Sequence, residues 1–322
     1  RDLRMSRGLG DVYKRQPVNK IRLFEHGAPG SQNFKLTRKY YTEDMPDGRV
    51  KHIVQNITDP DIVPYIPDGI GNSTDRQRIP AVLIIPGGAF RRLVYNFEGE
   101  DVAKWLNSMG IAAFVLECRL PSDEHDNAED VPLIDAMRAM RVIRGRAQEF
   151  GIDEAKIGVM GFSAGGFMAA LLSTAYESDV YADYKYKDEY DKLSARPDFA
   201  VCSYPVISID DCIEAGKRYM SEEQVLERIS DSKAKILHKY NPDKLVRPDM
   251  PPVFICETDD DRTTLSENSV GFYMAARKAG VSAELHIFRT GGHGYGCGDD
   301  FAQTGEWKVL FTKWIKSIGI IS

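Results

Sequence analysis

Residues 156–170, Lys-Ile-Gly-Val-Met-Gly161-Phe162-Ser163-Ala164-Gly165-Gly-Phe-Met-Ala-Ala, decide how the rest of the chain is read. An apolar, strand-like run enters a G-x-S-x-G motif, and a helix of small residues leaves it. Strand, sharp turn and helix in this order lift a serine hydroxyl above the edge of a sheet. Glycine fits at 161 and 165 because a side chain there would strike a neighbouring strand or helix. The pattern predicts a strained backbone at Ser163 and a hydroxyl open to an attacking base. That is the arrangement of a nucleophile.

Outward from this motif the chain alternates in character from about residue 51. Residues 80–86 read as a buried strand ending in Gly87-Gly88, and 98–109 as a helix with Val102, Trp105 and Leu106 on one face. Another apolar run covers 112–118. A long amphipathic helix is predicted over 131–150, with Arg138, Arg141, Arg144 and Arg146 on a solvated face. Strands follow at 199–206, 252–256 and 283–288, and helices at 267–279, stopped by Gly280, and at 304–317. Uniformly apolar strands alternating with helices predict an α/β fold, a mostly parallel central sheet with helices on both faces. Ligands of such sheets bind beyond the carboxyl ends of the strands.

Two stretches interrupt the alternation. Residues 176–194 are rich in Tyr, Asp and Lys, and 212–250 look helical and charged. Each reads either as a rim or lid over a site or as surface decoration. The tyrosines at 176, 181, 184, 186 and 190 have the chemistry to stack on sugar rings, though a solvated loop is the plainer expectation. Residues 69–77, around Asn72-Ser73-Thr74, read as a turn-rich loop.

The 322 residues, 43% hydrophobic and 28% charged, suit one large domain over 51–322, preceded by an extension at 17–50. Arg1 to Gln16 lack apolar periodicity and resemble translated library-adaptor sequence, so they are set aside from the fold. A net charge of -6 provides no basic footprint for nucleic acid, and no apolar run has the length to span a bilayer. The five cysteines, Cys118, Cys202, Cys212, Cys256 and Cys297, form no C-x-x-C pair. Three lie in apolar runs, which argues against a disulfide framework or a cysteine zinc site and leans towards a reducing, cytoplasmic compartment. Secretion stays open, because an adaptor-like start implies that the natural N-terminus is missing and a signal peptide could have been lost with it.

A serine needs a base, a group to orient that base, and donors for an oxyanion. His293, in Gly291-Gly292-His293-Gly294, follows the last predicted strand and is the candidate base. His26, His52, His125, His238 and His286 lack that context. The acid should follow the strand before it, where Asp259-Asp260-Asp261 stand in a row and leave the choice open. The order Ser, Asp, His is that of α/β-hydrolases. Oxyanion donors would be the N–H of Ala164 and those of the Gly87-Gly88-Ala89 turn. No H-E-x-x-H, Walker loop or G-x-G-x-x-G stands in a strand–helix context, so no metal or organic cofactor is expected.

Together these segments resemble the α/β-hydrolase fold carbohydrate esterases of the acetyl xylan and feruloyl esterase kind. The matches run in order from Ile85-Pro86-Gly87-Gly88-Ala89-Phe90 through Trp105-Leu106-Asn107-Ser108-Met109-Gly110, Arg119-Leu120-Pro121 and the serine motif. They continue with Ala195-Arg196-Pro197-Asp198-Phe199, Tyr204-Pro205-Val206 and Gly291-Gly292-His293-Gly294. The resemblance implies the triad Ser163, Asp261 and His293, with Gly88, Ala89 and Ala164 as the oxyanion hole. It implies deacetylation of plant-type oligosaccharides, so the expected partner is a small ester or acetylated sugar; oligomeric state stays open. Three departures stand out. The usual Val-Pro after the acid is missing, which keeps Asp260 in play. Ala89 replaces a third glycine, and Cys118 replaces an aromatic. A prolyl-oligopeptidase-like peptidase and a non-catalytic carbohydrate-binding protein are the alternatives.

Overall fold

A computed structural model describes residues 20–69, 78–123, 125–218, 220, 221, 223–225, 233–298 and 303–322. The adaptor-like segment and the loop at Asn72-Ser73-Thr74 lie outside the described residues. Among the described residues eleven strands form two sheets: β1 (Ile21–Arg22), β2 (Lys39–Asp44), β3 (Val50–Gln55), β4 (Asp61–Tyr65), β5 (Ile79–Ile85), β6 (Leu93–Val94), β7 (Ala112–Glu117), β8 (Ile152–Phe162), β9 (Ala200–Ser203), β10 (Val253–Thr258) and β11 (Ala283–Phe288). The large sheet runs β1-β4-β7-β5-β8-β9-β10-β11, and β2-β3-β6 form a small one. From β7 to β11 all pairings are parallel; β4 and β1 join antiparallel at one edge. Residues 20–50, read as an extension, thus supply strands to both sheets.

Helices are α1 (Asp101–Ser108), α2 (Val131–Gly145), α3 (Ala147–Phe150), α4 (Ala164–Ala175), α5 (Ile209–Lys217), α6 (Lys233–Lys239), α7 (Ser266–Lys278) and α8 (Trp307–Ser317). β7 and β10 are buried along their whole length because helices cover both faces. On one face α1 meets α8 through Trp105, whose ring lies 5.0 Å from Trp307 and 5.4 Å from Phe311. On the other, α2 packs on α4, and α4 on β8 and β9. The helix expected over 131–150 is interrupted at Arg146, and α3 then ends at Gly151, whose φ of 67° is left-handed. The segment expected to be helical from Glu98 begins instead as a π-helical turn, Asn96–Glu100.

The arginines of α2 do not form a solvated face. Arg138 is buried, donates to both oxygens of Asp188, and sits 3.0 Å from Asp191. Arg141 donates to the Leu193 carbonyl and the Tyr181 hydroxyl, and Arg144 to the carbonyls of Glu154, Ser194 and Arg196. Their partners lie mainly in 176–194, so a stretch with little regular structure is tied down by guanidinium forks. Tyr176 and Tyr181 are buried, and the Tyr184 hydroxyl donates to Gly27 O. This segment follows the far end of α4, about 18 Å along the helix from Ser163 at 1.5 Å per residue. The expected solvated loop is therefore tied down, by contacts with α2, with the N-terminal turn and with Arg247 and Asp249.

Among the described residues of 212–250, two anchors lie towards the other end of the sheet, while Arg247 and Asp249 return to Glu177 and Tyr176 at the far end of α4. Arg218 pairs with Glu267 at the start of α7, while Lys239 and the Tyr240 hydroxyl reach Asp130 at the start of α2. Both anchors stand at the carboxyl edge of the strands.

Close behind that edge, Arg119 and Asp135 form a fully buried pair. The guanidinium donates to Asp135 Oδ1 at 2.7 and 3.1 Å, and the Arg119 N–H to Oδ2 at 2.8 Å. Removing one charge strands the other without water. Arg119→Met should lower unfolding free energy by about 3–5 kcal/mol in urea titrations. Adding Asp135→Leu should restore much of that loss, which a role limited to packing would not predict.

Candidate active site

β5, β8, β9, β10 and β11 end at one edge of the sheet, and the loops that follow them carry Gly88, Ser163, Tyr204, Asp261 and His293. Ser163 sits between β8 and α4 with φ 53° and ψ -118°, a conformation L-residues rarely adopt. The turn closes only with glycine on either side. A Cβ on Gly161 would come within 1.9 Å of Gly165 O, and one on Gly165 within 1.9 Å of Ile85 O.

Ser163 Oγ lies 2.8 Å from His293 Nε2, and His293 Nδ1 lies 2.6 Å from Asp261 Oδ2. The three side chains named from sequence are thus joined in one line. Asp261 is buried. Its Oδ1 accepts the N–H groups of Thr263 and Thr264 at 2.7 and 2.9 Å, and its Oδ2 accepts the Thr264 hydroxyl at 2.9 Å. Burial pushes the Asp261 carboxyl up, but the hydrogen bond and charge of His293, with those N–H donors, outweigh it and hold the carboxyl below its usual range.

Asp260 faces another way. Its Oδ1 accepts the N–H groups of Gly291 and Gly292 at 2.9 and 2.8 Å. It therefore shapes the loop that carries the histidine and does not reach the ring. Two adjacent aspartates with identical sequence surroundings separate here because successive residues leaving a strand point to different sides.

The oxyanion candidates divide similarly. Gly87 N–H donates at 2.8 Å to Glu98 Oε2 and is committed there. The N–H groups of Gly88, Ala89 and Ala164 donate to no protein acceptor among the described hydrogen bonds. Ala164 opens α4, where the helix dipole adds positive potential. Ala89 has φ 58°, the left-handed conformation that a third glycine would take without cost, and Phe90 follows at 61°. The alanine is accommodated at roughly 1 kcal/mol of local strain.

Sequence reasoning missed Glu98, Tyr204 and Thr264. Glu98 is buried and accepts the Tyr204 hydroxyl at 2.9 Å as well as Gly87 N–H. Burial raises its pKa against the pull of His293 and of those two donors. In sequence it is one of two acids in Phe97-Glu98-Gly99-Glu100, indistinguishable from a surface residue. Of the other histidines, His286 pairs with Glu284 on the edge strand and His125 accepts or donates at Ser31, both remote from Ser163 in their contacts. Among the described residues no cluster of three or more His, Cys, Asp or Glu could hold a metal ion. Cys118, Cys202, Cys256 and Cys297 are buried thiols.

With this geometry in view, likeness to known proteins becomes informative. The BD-FAE family pattern matches residues 70–275. An acetylxylan esterase of Xylanibacter ruminicola is 31% identical over 240 residues, 74% of this chain and 45% of the relative. An endo-1,4-beta-xylanase B of Butyrivibrio fibrisolvens is 29% identical over 269 residues, 81% of this chain and 40% of the relative. The chain thus spans less than half the length of either. Among solved structures, an acetyl ester-xyloside bifunctional hydrolase from Caldicellulosiruptor lactoaceticus superposes with a TM-score of 0.70 at 35% identity, covering 95% of this chain and 98% of that one. Fold, matched segment and likeness agree: the chain is an α/β-hydrolase and belongs to the BD-FAE family.

Proposed function

We propose that the protein is a serine esterase that removes acetyl groups from plant-type oligosaccharides. The observation that carries the reading is the unbroken relay from Ser163 Oγ through His293 to the buried Asp261, with contacts of 2.8 and 2.6 Å. Its likeness to an acetylxylan esterase and to an acetyl ester-xyloside hydrolase supports the substrate class.

In this reading His293 Nε2 takes the Ser163 proton as Oγ bonds to the ester carbonyl carbon. The carbonyl oxygen gains the displaced electron pair, and the N–H groups of Ala164, Gly88 and Ala89 hold it. Asp261 keeps the Nδ1–H tautomer and stabilises the imidazolium without itself taking the proton. Collapse of the tetrahedral centre breaks the bond to the sugar oxygen, which leaves with the proton from His293. Water then repeats the cycle on the acyl-serine and releases acetate.

Turnover of p-nitrophenyl acetate with Ser163→Ala alongside tests the chemistry, and acetate release from acetylated xylan tests the substrate. Both should be present in the parent, and Ser163→Ala should lose at least about 10³-fold. Hydrolysis of the small ester without release from xylan would discard the sugar substrate and keep the esterase. No ester turnover by the parent would sink the reading and favour a peptidase or a binding protein.

The two aspartates should part in the same assay. Asp261→Asn should lower kcat by about 10⁴-fold, because the amide favours the wrong imidazole tautomer. Asp260→Ala should cost about tenfold, by loosening the histidine loop. Equal losses would reopen the assignment of the acid. Because the Asp261 carboxyl is held below its ordinary value of 3.8, its stabilising effect is complete above that pH and is lost as pH falls through the lowered value. Urea midpoints measured from neutral pH downward should therefore fall less steeply at acid pH in Asp261→Asn than in the parent.

A further inference from the structure

Glu98 lies outside the relay, yet it is a carboxylate buried beside it, and burying a carboxylate is costly unless its donors are well placed. Those donors come from separate parts of the site. Gly87 N–H belongs to the oxyanion loop, and the Tyr204 hydroxyl to the end of β9. The Tyr204 oxygen in turn accepts Gly296 N–H at 3.0 Å from the histidine loop. The Tyr204 carbonyl accepts the Thr264 hydroxyl at 3.3 Å, and Thr264 holds Asp261. The Tyr204 ring also meets the His293 ring edge-on, 5.0 Å between centroids. Glu98 and the Tyr204 phenol therefore join the oxyanion loop to the histidine loop, and the Tyr204 carbonyl adds the acid loop.

Three local features show a built arrangement. Glu98 is turned inward by the π-helical turn Asn96–Glu100, a device that often accompanies functional sites. Tyr204 takes a left-handed φ of 37°, which costs energy for a large side chain. Gly296 has φ 53°, and a Cβ there would come within 2.8 Å of Phe97 O, so the histidine loop is pressed against the turn that carries Glu98.

We propose that Glu98 and Tyr204 are positioning residues that fix the oxyanion loop and the histidine loop at the separation the reaction needs. Neither touches the reacting atoms. Glu98 sets where Gly87, and hence the Gly88 and Ala89 N–H groups, stand relative to Ser163. Tyr204 carries the same constraint to Gly296, three residues from His293. This role rests on the serine esterase reading, and its test is arranged so that the two fail separately.

Glu98→Gln keeps the shape but replaces one acceptor by a donor, and Tyr204→Phe removes the link while keeping the ring. Each should lower kcat for p-nitrophenyl acetate by about tenfold or more with KM within about twofold, since misplacement slows chemistry more than binding. The double variant should be no slower than the slower single one, because both cut the same link. The far-downfield proton resonance of His293 Nδ1–H should broaden or weaken in each variant. Full kcat in the folded single variants, or losses that multiply in the double, would overturn the proposal. If Glu98→Gln does not fold, Tyr204→Phe decides through the kcat and KM split. If the parent turns over no ester, the esterase reading fails and the resonance decides alone: unchanged in both variants, it overturns the positioning role; broadened, it supports it.

Discussion

Ser163 holds a left-handed turn between β8 and α4, and the site is arranged around the cost of that turn. Such a conformation stores about 1–3 kcal/mol and persists only where its surroundings over-determine it. Here the glycines at 161 and 165 let backbone pack on backbone, with α4 against β5 and the motif against itself. The serine N–H is tied to Ser203 O at 3.0 Å and its carbonyl accepts Phe167 N–H at 3.0 Å. Strain at one residue is thus offset by close packing along two strands and a helix, and the hydroxyl stands beyond the sheet edge at the start of a helix.

Around that turn the remaining parts arrive on independent loops, each held by its own bonds. Asp261 is gripped by Thr263 and Thr264, the histidine loop by Asp260, and the oxyanion loop by Glu98. A loop held only by its strand would be free to drift, whereas reaction geometry tolerates little displacement. Polar groups such as Glu98 and Thr264 are therefore buried behind the site. Glu98 accepts from Gly87 N–H and the Tyr204 hydroxyl, and Thr264 donates to Asp261, which is what makes their burial tolerable.

The strands and helices that carry the site were legible because their signals are local and periodic. The apolar run before Ser163, the stop at Gly280 and the strand over 283–288 all depend on neighbours in sequence. The arginines of α2 were misread for the converse reason. At helical spacing they look like a polar face, and only the chain returning at 176–194 supplies the carboxylates and carbonyls that bury them. The break at Arg146 and the π-helical start at Asn96 likewise answer to packing and not to propensity.

From the sequence alone Ser163 and His293 stand out, in that order along the chain, because the glycines around them answer to backbone geometry that any fold of this kind must satisfy. The carboxylate beside His293 is likewise narrowed to Asp260 or Asp261. Tertiary structure alone decided between them, since the answer depends on which carboxylate faces a ring 32 residues further along the chain. It alone revealed Glu98 and Tyr204, whose meaning lies in contacts across 106 and 92 residues of sequence. Long-range hydrogen bonds leave no periodic trace in the chain that forms them, and so the serine motif is legible in the chain while the contacts that hold its surroundings in place are not.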